Sequence, residues 1–226
     1  MISIFYRKVS ELNGSSILKG ITLSELKRRF KILIIDDEEF PFLEALKKHE
    51  YLITHKKDLD DLSDAEAYKI ILCDIRGVGK ALGTDYDGAY LIKQLKVMYP
   101  DKTIIAYTAN PYDPTFEEFL GYAVKTVFKG SFALDDWSTL LDQLLFEIVD
   151  PVKLWEETRK QLLNAGVSTF DVAKYESKYV QAVKKGKYDG LMKLCEKKSG
   201  EGAEIVVTLL KTVTSVTTFL QGVVNK

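Results

Sequence analysis

Short aliphatic runs alternate with amphipathic stretches from residue 31 onward. The runs KILII (31–35), YLITH (51–55), KIILC (69–73), TIIAY (103–107) and VKTVF (124–128) predict five strands. Helical spacing of apolar residues predicts helices over roughly 39–49, 64–68, 87–98, 115–122 and 133–148. Start signals support two of them. Ser63 with Glu66 has the form of a capping box, and Asp113-Pro114 offers an N-cap acid followed by proline at the first helical position. Five alternations of strand and helix predict βαβ units wound into a parallel sheet. KILII and KIILC show almost no polar alternation, as expected of strands covered by helices on both faces. In such sheets reactive groups gather at the carboxyl ends of the strands.

The flanks break this pattern. In residues 1–30, MISIFYRKVSEL fits a strand or a helix, Asn13-Gly14-Ser15-Ser16 reads as a turn, and Thr22 with Glu25 opens a short helix to about Phe30. After Asp150-Pro151 the strand signals vanish. Helices are expected at 151–164, 169–185, 188–198 and 202–224, separated by Gly166, Gly186 and Gly200. Three regions result: an N-terminal extension (1–30), an α/β domain (31–149) and a helical region (150–226).

Composition narrows the class. Hydrophobic residues make up 46% and charged residues 29% of the chain, as in soluble globular proteins. The net charge is −1, but residues 151–226 carry 13 Lys+Arg against 8 Asp+Glu, so the rest is acidic. That surplus is too small to imply nucleic acid. Cys73 and Cys195 form no ligand motif, and no apolar stretch is long enough to span a bilayer, so a cytoplasmic setting is expected. His49 and His55 lack a metal-ligand pattern and are expected to be structural or solvent-facing.

The strand ends carry the chemistry. The first strand stops at Asp36-Asp37, the third at Asp74, the fourth at Thr108-Ala109 and the fifth at Lys129. Two adjacent acids beside a core oppose each other's ionisation, so they either face water or await a cation. A carboxylate can accept a phosphoryl group as an acyl phosphate, and the charge on the phosphoryl oxygens calls for a divalent metal and a lysine. Mg²⁺ takes one or two carboxylates and keeps several waters. Asp37 and Asp74 suit direct ligation, with Asp36 holding a metal-bound water.

The motifs IIDDEE, ILCD, AYTA and VFK, in that order and with Asp87-Gly88, resemble the receiver domain of bacterial two-component response regulators over residues 31–148. The resemblance implies a flavodoxin-like, doubly wound parallel five-stranded sheet of order 2-1-3-4-5, followed by an all-α C-terminal region. It implies that Asp74 is the phosphoacceptor and that Asp36, Asp37, Asp74 and the Arg76 carbonyl form an Mg²⁺ site. It further implies that Thr108, the Ala109 amide and Lys129 contact the phosphoryl group. The partner would be a histidine kinase or phosphotransfer protein. Catalysis would be confined to the chain's own phosphoryl transfer and hydrolysis. The alternative is a non-phosphorylated pseudo-receiver acting as an interaction scaffold.

Three features depart from the pattern. A glycine-rich loop, IRGVGKALGTDYDG, replaces the short loop after Asp74; it lacks the spacing of a Walker A motif. Its readings are a gate, a partner site or a plain flexible loop. Lys129-Gly130 stands where the family has Lys-Pro, and Thr126 stands where the family has an aromatic switch residue. In the tail, Val206, Leu209, Val213, Val216, Leu220 and Val223 form an a/d-like stripe, which suits packing within the tail, a homodimer or a protein partner.

Overall fold

A computed structural model of the chain describes residues 6–13, 18, 21–83, 87–109, 114–196 and 204–208. They fall into two compact units, Thr22–Leu145 and a second made of Met1–Ile21 with Phe146–Lys226.

The first unit begins with helix α1 (Leu23–Arg29), opened by the expected capping box: Thr22 accepts from the Glu25 amide and Glu25 reaches back to Thr22. Five strands follow, β1 (Lys31–Ile35), β2 (Leu52–Lys56), β3 (Ile70–Asp74), β4 (Thr103–Thr108) and β5 (Lys125–Phe128). They form one parallel sheet of order β2-β1-β3-β4-β5, the doubly wound flavodoxin-like arrangement. Its helices are α2 (Leu43–Lys48), α3 (Asp87–Met98), α4 (Glu117–Leu120) and α5 (Leu134–Glu147). Every residue of β3 is buried, whereas the edge strands β2 and β5 are only partly so.

Side chains alternate across the sheet. Leu33, Ile35, Ile71, Cys73, Ile104 and Ala106 pack into one core with Leu91, Ile92 and Leu95 of α3. Ile32, Ile34, Ile70, Leu72, Ile105 and Tyr107, also buried, have the opposite parity. The register pairs Ile35 with Cys73, Asp74 with Tyr107 and Thr108 with Phe128. All the strands therefore deliver their terminal residues to one edge. Near β2, Leu26 of α1 is fully buried, and Lys27 bridges to Asp142 of α5 at 3.2 Å while lying 4.0 Å over the Tyr51 ring.

Three expected helices are shorter than their patterns suggested: 39–49 narrows to α2 (Leu43–Lys48), and two others shrink to single turns. Residues 62–65 make only a 3₁₀ turn, because Asp61 rather than Ser63 caps it, accepting from the Ser63 amide at 2.7 Å. The Lys102 ammonium then collects the Glu66 and Tyr68 carbonyls at 2.7 Å each, in place of further helical turns. Over 115–122, a 3₁₀ turn at Pro114–Phe116 precedes the single turn of α4. The cap expected from Asp113 lies outside the described residues.

The second unit holds α6 (Pro151–Asn164), α7 (Thr169–Lys185) and α8 (Asp189–Glu196), with residues 204–208 also helical. Asp150 caps α6 with Pro151 at its first position, and Gly186 ends α7 in the left-handed conformation. Trp155 stacks on Tyr179 at 5.2 Å in a core with Leu162, Val172 and Tyr175. Residues 6–12 belong here: Leu12 joins that core, and buried Glu176 accepts from the Val9 amide at 2.7 Å and from the Tyr6 hydroxyl. Lys184 pairs with Glu11 at 2.8 Å. Val206 of the a/d-like stripe is buried; its other members lie outside the described residues.

Candidate functional site

At the carboxyl edge of the sheet, Asp36 follows β1 and Asp74 ends β3, so both have the parity of Tyr107 in β4. Asp36 and Asp74 are 2% and 7% exposed, whereas Asp37 faces solvent. One carboxylate oxygen from each of Asp36, Asp37 and Asp74 lies within 4.8 Å of the others. The Lys129 ammonium enters from the end of β5 and donates to Asp74 Oδ2 at 2.5 Å and Asp36 Oδ2 at 3.1 Å. The Glu38 amide donates to Asp36 Oδ1 at 3.0 Å, and the Arg76 amide to Asp74 Oδ1 at 3.3 Å.

Electrostatics follows from this count. Three carboxylates meet the Lys129 ammonium within the cluster and the exposed Lys80 ammonium 3.7 Å from Asp37 at its rim, so the cluster keeps an excess of negative charge. Burial raises the Asp74 carboxyl above its ordinary range, and Asp36 adds to the rise; Lys129 offsets it only in part. Burial alone would lower the Lys129 ammonium, but its bonds to Asp74 and Asp36 prevail and raise it. An all-oxygen donor set with one solvent-facing acid matches the preference of Mg²⁺ for few carboxylates and retained waters. The residues present fit such an ion.

Of the sequence-predicted residues, Asp36, Asp37, Asp74 and Lys129 converge directly. Thr108, 3% exposed, ends β4 one step beyond the Asp74–Tyr107 pair, with exposed Ala109 next to it. Arg76 contributes its amide to Asp74, and its guanidinium lies 5.1 Å over the Phe116 ring. Thr126 is exposed. His55, expected to be structural or solvent-facing, is partly buried and donates from Nε2 to the Asp36 carbonyl at 2.9 Å.

The glycine-rich loop is anchored as far as residue 83. Asp58 accepts from the Gly79 amide at 2.6 Å and the Lys80 amide at 3.1 Å, while Asp87 accepts from the Gly77 amide at 3.3 Å. Val78 is fully buried. Gly77, at φ +76°, lies so close to Asp37 that an added Cβ would meet both its carboxylate oxygens at 2.4 Å. Gly88 lets α3 approach β3: a Cβ there would sit 1.9 Å from the Asp74 carbonyl oxygen. Residues 84–86 are outside the described set.

Two contributors escaped the sequence reading. Tyr107 donates its hydroxyl to Asp36 Oδ2 at 2.6 Å, and its ring lies 4.8 Å beneath the Lys129 ammonium. Parity along TIIAYT, which gives Tyr107 the same face as Asp74, was the available signal. Asp58 left no such signal, because it reaches its amides across two loops.

No protein-family model matches the sequence, and no curated protein matches it. The solved structures it resembles include response-regulator receivers. One is a response regulator from Thermotoga maritima, 17% identical, matched over 51% of this chain and 97% of that one with a TM-score of 0.42. Another is the BeF3-activated N-terminal receiver domain of Klebsiella pneumoniae RstA, 22% identical over 51% and 97%, TM-score 0.41. A third, from Burkholderia pseudomallei, is 20% identical over 64% and 91%, TM-score 0.40, and holds a phosphorylated aspartic acid, a calcium ion and citrate. At these identities and scores, the roles of individual residues rest on the geometry of this chain alone. No helix among the described residues is long and apolar enough to cross a membrane.

Proposed function

We propose that the Thr22–Leu145 unit is a phosphoacceptor module, response-regulator-like in its signalling role, that takes a phosphoryl group on Asp74 from a histidine kinase or phosphotransfer protein. The observation that carries this reading is the Lys129 ammonium bridging Asp74 and Asp36 inside a three-carboxylate cluster at the sheet's carboxyl edge. A constellation of this kind suits neutralising the charge on phosphoryl oxygens, because phosphoryl transfer depends on positioning and electrostatics.

In the proposed step an Asp74 carboxylate oxygen forms a bond to phosphorus while the donor's P–N bond breaks. The leaving imidazole keeps that electron pair and takes up a proton. Lys129 then exchanges part of its hold on Asp74 for a phosphoryl oxygen. Thr108 and the Ala109 amide, at the same edge, are the nearest candidates for the remaining oxygens. Asp36, Asp37 and Asp74 would hold Mg²⁺, with the Arg76 carbonyl as a further ligand; the ion supplies charge neutralisation for the phosphoryl oxygens. The chain's chemistry in this reading stops at its own phosphorylation and hydrolysis.

A second reading, the non-phosphorylated scaffold, is favoured by exposed Thr126, which gives no aromatic switch at that position. Acetyl phosphate with Mg²⁺ separates the two. The first reading expects a phosphoryl adduct by intact mass, mapped to Asp74 and absent from Asp74→Asn. No adduct, under conditions that label a control receiver, supports the scaffold.

A further inference from the structure

The Asp36 carboxylate is held by more than the site's own lysine. Its Oδ1 accepts from the Glu38 amide, and its Oδ2 is shared between Lys129 and the Tyr107 hydroxyl. A carboxylate offers about four lone-pair positions, so these three donors leave one direction open. Tyr107 is 1% exposed, and its buried hydroxyl donates to Asp36 Oδ2 at 2.6 Å. Asp36 therefore cannot turn without breaking a buried hydrogen bond.

The ring of Tyr107 is fixed as firmly as its hydroxyl. It meets Trp137 of α5 edge-on at 6.0 Å and Phe40 at 5.9 Å, and Phe40 meets Trp137 at 5.3 Å. Trp137 is 2% exposed. Tyr107 thus touches both Asp36 and Trp137 of α5.

We propose that Tyr107 is a positioning residue of the acidic site: it aims the open face of Asp36 at a divalent cation and makes the packing around Trp137 sensitive to that cation. This rests on the reading of the site as a cation-dependent phosphoacceptor, and extends it to a residue for which that reading has no use. Hydrogen-bonded partners of metal-binding carboxylates typically contribute 10-fold to 100-fold in affinity.

The test uses the full chain carrying Trp155→Phe, which leaves Trp137 as the only tryptophan of the two in the sequence. Mg²⁺ alone is titrated by calorimetry and by tryptophan emission, with and without Tyr107→Phe. The expected result is that Mg²⁺ shifts Trp137 emission in the parent. In Tyr107→Phe the affinity falls about tenfold and the emission change per bound ion shrinks. Equal affinity and an equal emission change in the variant overturn the positioning role while leaving the phosphoacceptor reading intact. Should Tyr107→Phe fail to fold, the parent alone still decides: Mg²⁺ uptake by calorimetry with no change in Trp137 emission overturns the proposal. Absence of Mg²⁺ uptake by the parent overturns both this proposal and the reading beneath it.

Discussion

Gly77 and Gly83 lie on the same loop in similar left-handed conformations, at φ +76° and +64°, yet in different surroundings. Around Gly83 an added Cβ meets nothing within 4 Å, whereas at Gly77 it meets the Asp37 carboxylate at 2.4 Å. Alanine at either position incurs the left-handed penalty of about 1–2 kcal/mol. Gly77→Ala must in addition drive Asp37 back by about 1 Å to reach the 3.4 Å of ordinary contact. The Asp37 side chain is 40% exposed and held by Lys80 at only 3.7 Å, so it moves at little cost to the fold. Urea melts of the two variants should thus show similar losses, on the order of 1–2 kcal/mol. Mg²⁺ titration calorimetry should separate them, with Gly83→Ala near the parent affinity and Gly77→Ala weaker by about tenfold. Equal Mg²⁺ affinity in the two variants would refute the assignment of Asp37 to the cation.

Other consequences follow from single contacts. Gly88→Ala places Cβ 1.9 Å from the Asp74 carbonyl oxygen and 2.7 Å from Val78 Cγ2, so denaturant unfolding should show a loss of about 3 kcal/mol, at the upper end of overpacking. Asp74 is raised by burial, so the unfolded chain ionises first as pH rises, and above the ordinary carboxylate range the cation-free fold carries a penalty. Asp74→Asn should accordingly raise the Tm of the cation-free protein at pH 7, an advantage that disappears in acid below the ordinary carboxylate pKa. Lys102 is pushed down to about 8, chiefly by burial and against the attraction of Asp101 and Glu66, while nearby Lys69 reinforces the fall. The unfolded chain therefore releases this proton only at higher pH, and stability should rise by about 3 kcal/mol between about pH 8 and pH 10.5. Comparison with Lys102→Met by urea melts across that window should remove this slope.

The sheet was legible because parallel strands buried on both faces must be aliphatic runs, and KILII and KIILC have few other uses. The acids and lysine were legible because parallel register sends successive strand ends to one edge. Helix 64–68 misled because Ser63 and Glu66 carry a capping pattern that Asp61 and the Lys102 ammonium override from outside it. Tyr107 was hidden within an apolar run, where its ring satisfied the strand pattern and its hydroxyl went uncounted. The association of residues 6–12 with the tail depends on Glu176 meeting the Val9 amide, a contact between distant chain segments that no local periodicity records.

The central claim is that Asp36, Asp37 and Asp74, with Lys129 among them, form one divalent-cation site. The most direct measurement is calorimetric titration of Mg²⁺ into the full chain beside Asp37→Asn and Asp74→Asn. The expected result is one ion per chain in the parent and a marked loss of affinity in both variants. Uptake unchanged by either substitution, or no uptake at millimolar Mg²⁺, would contradict the account.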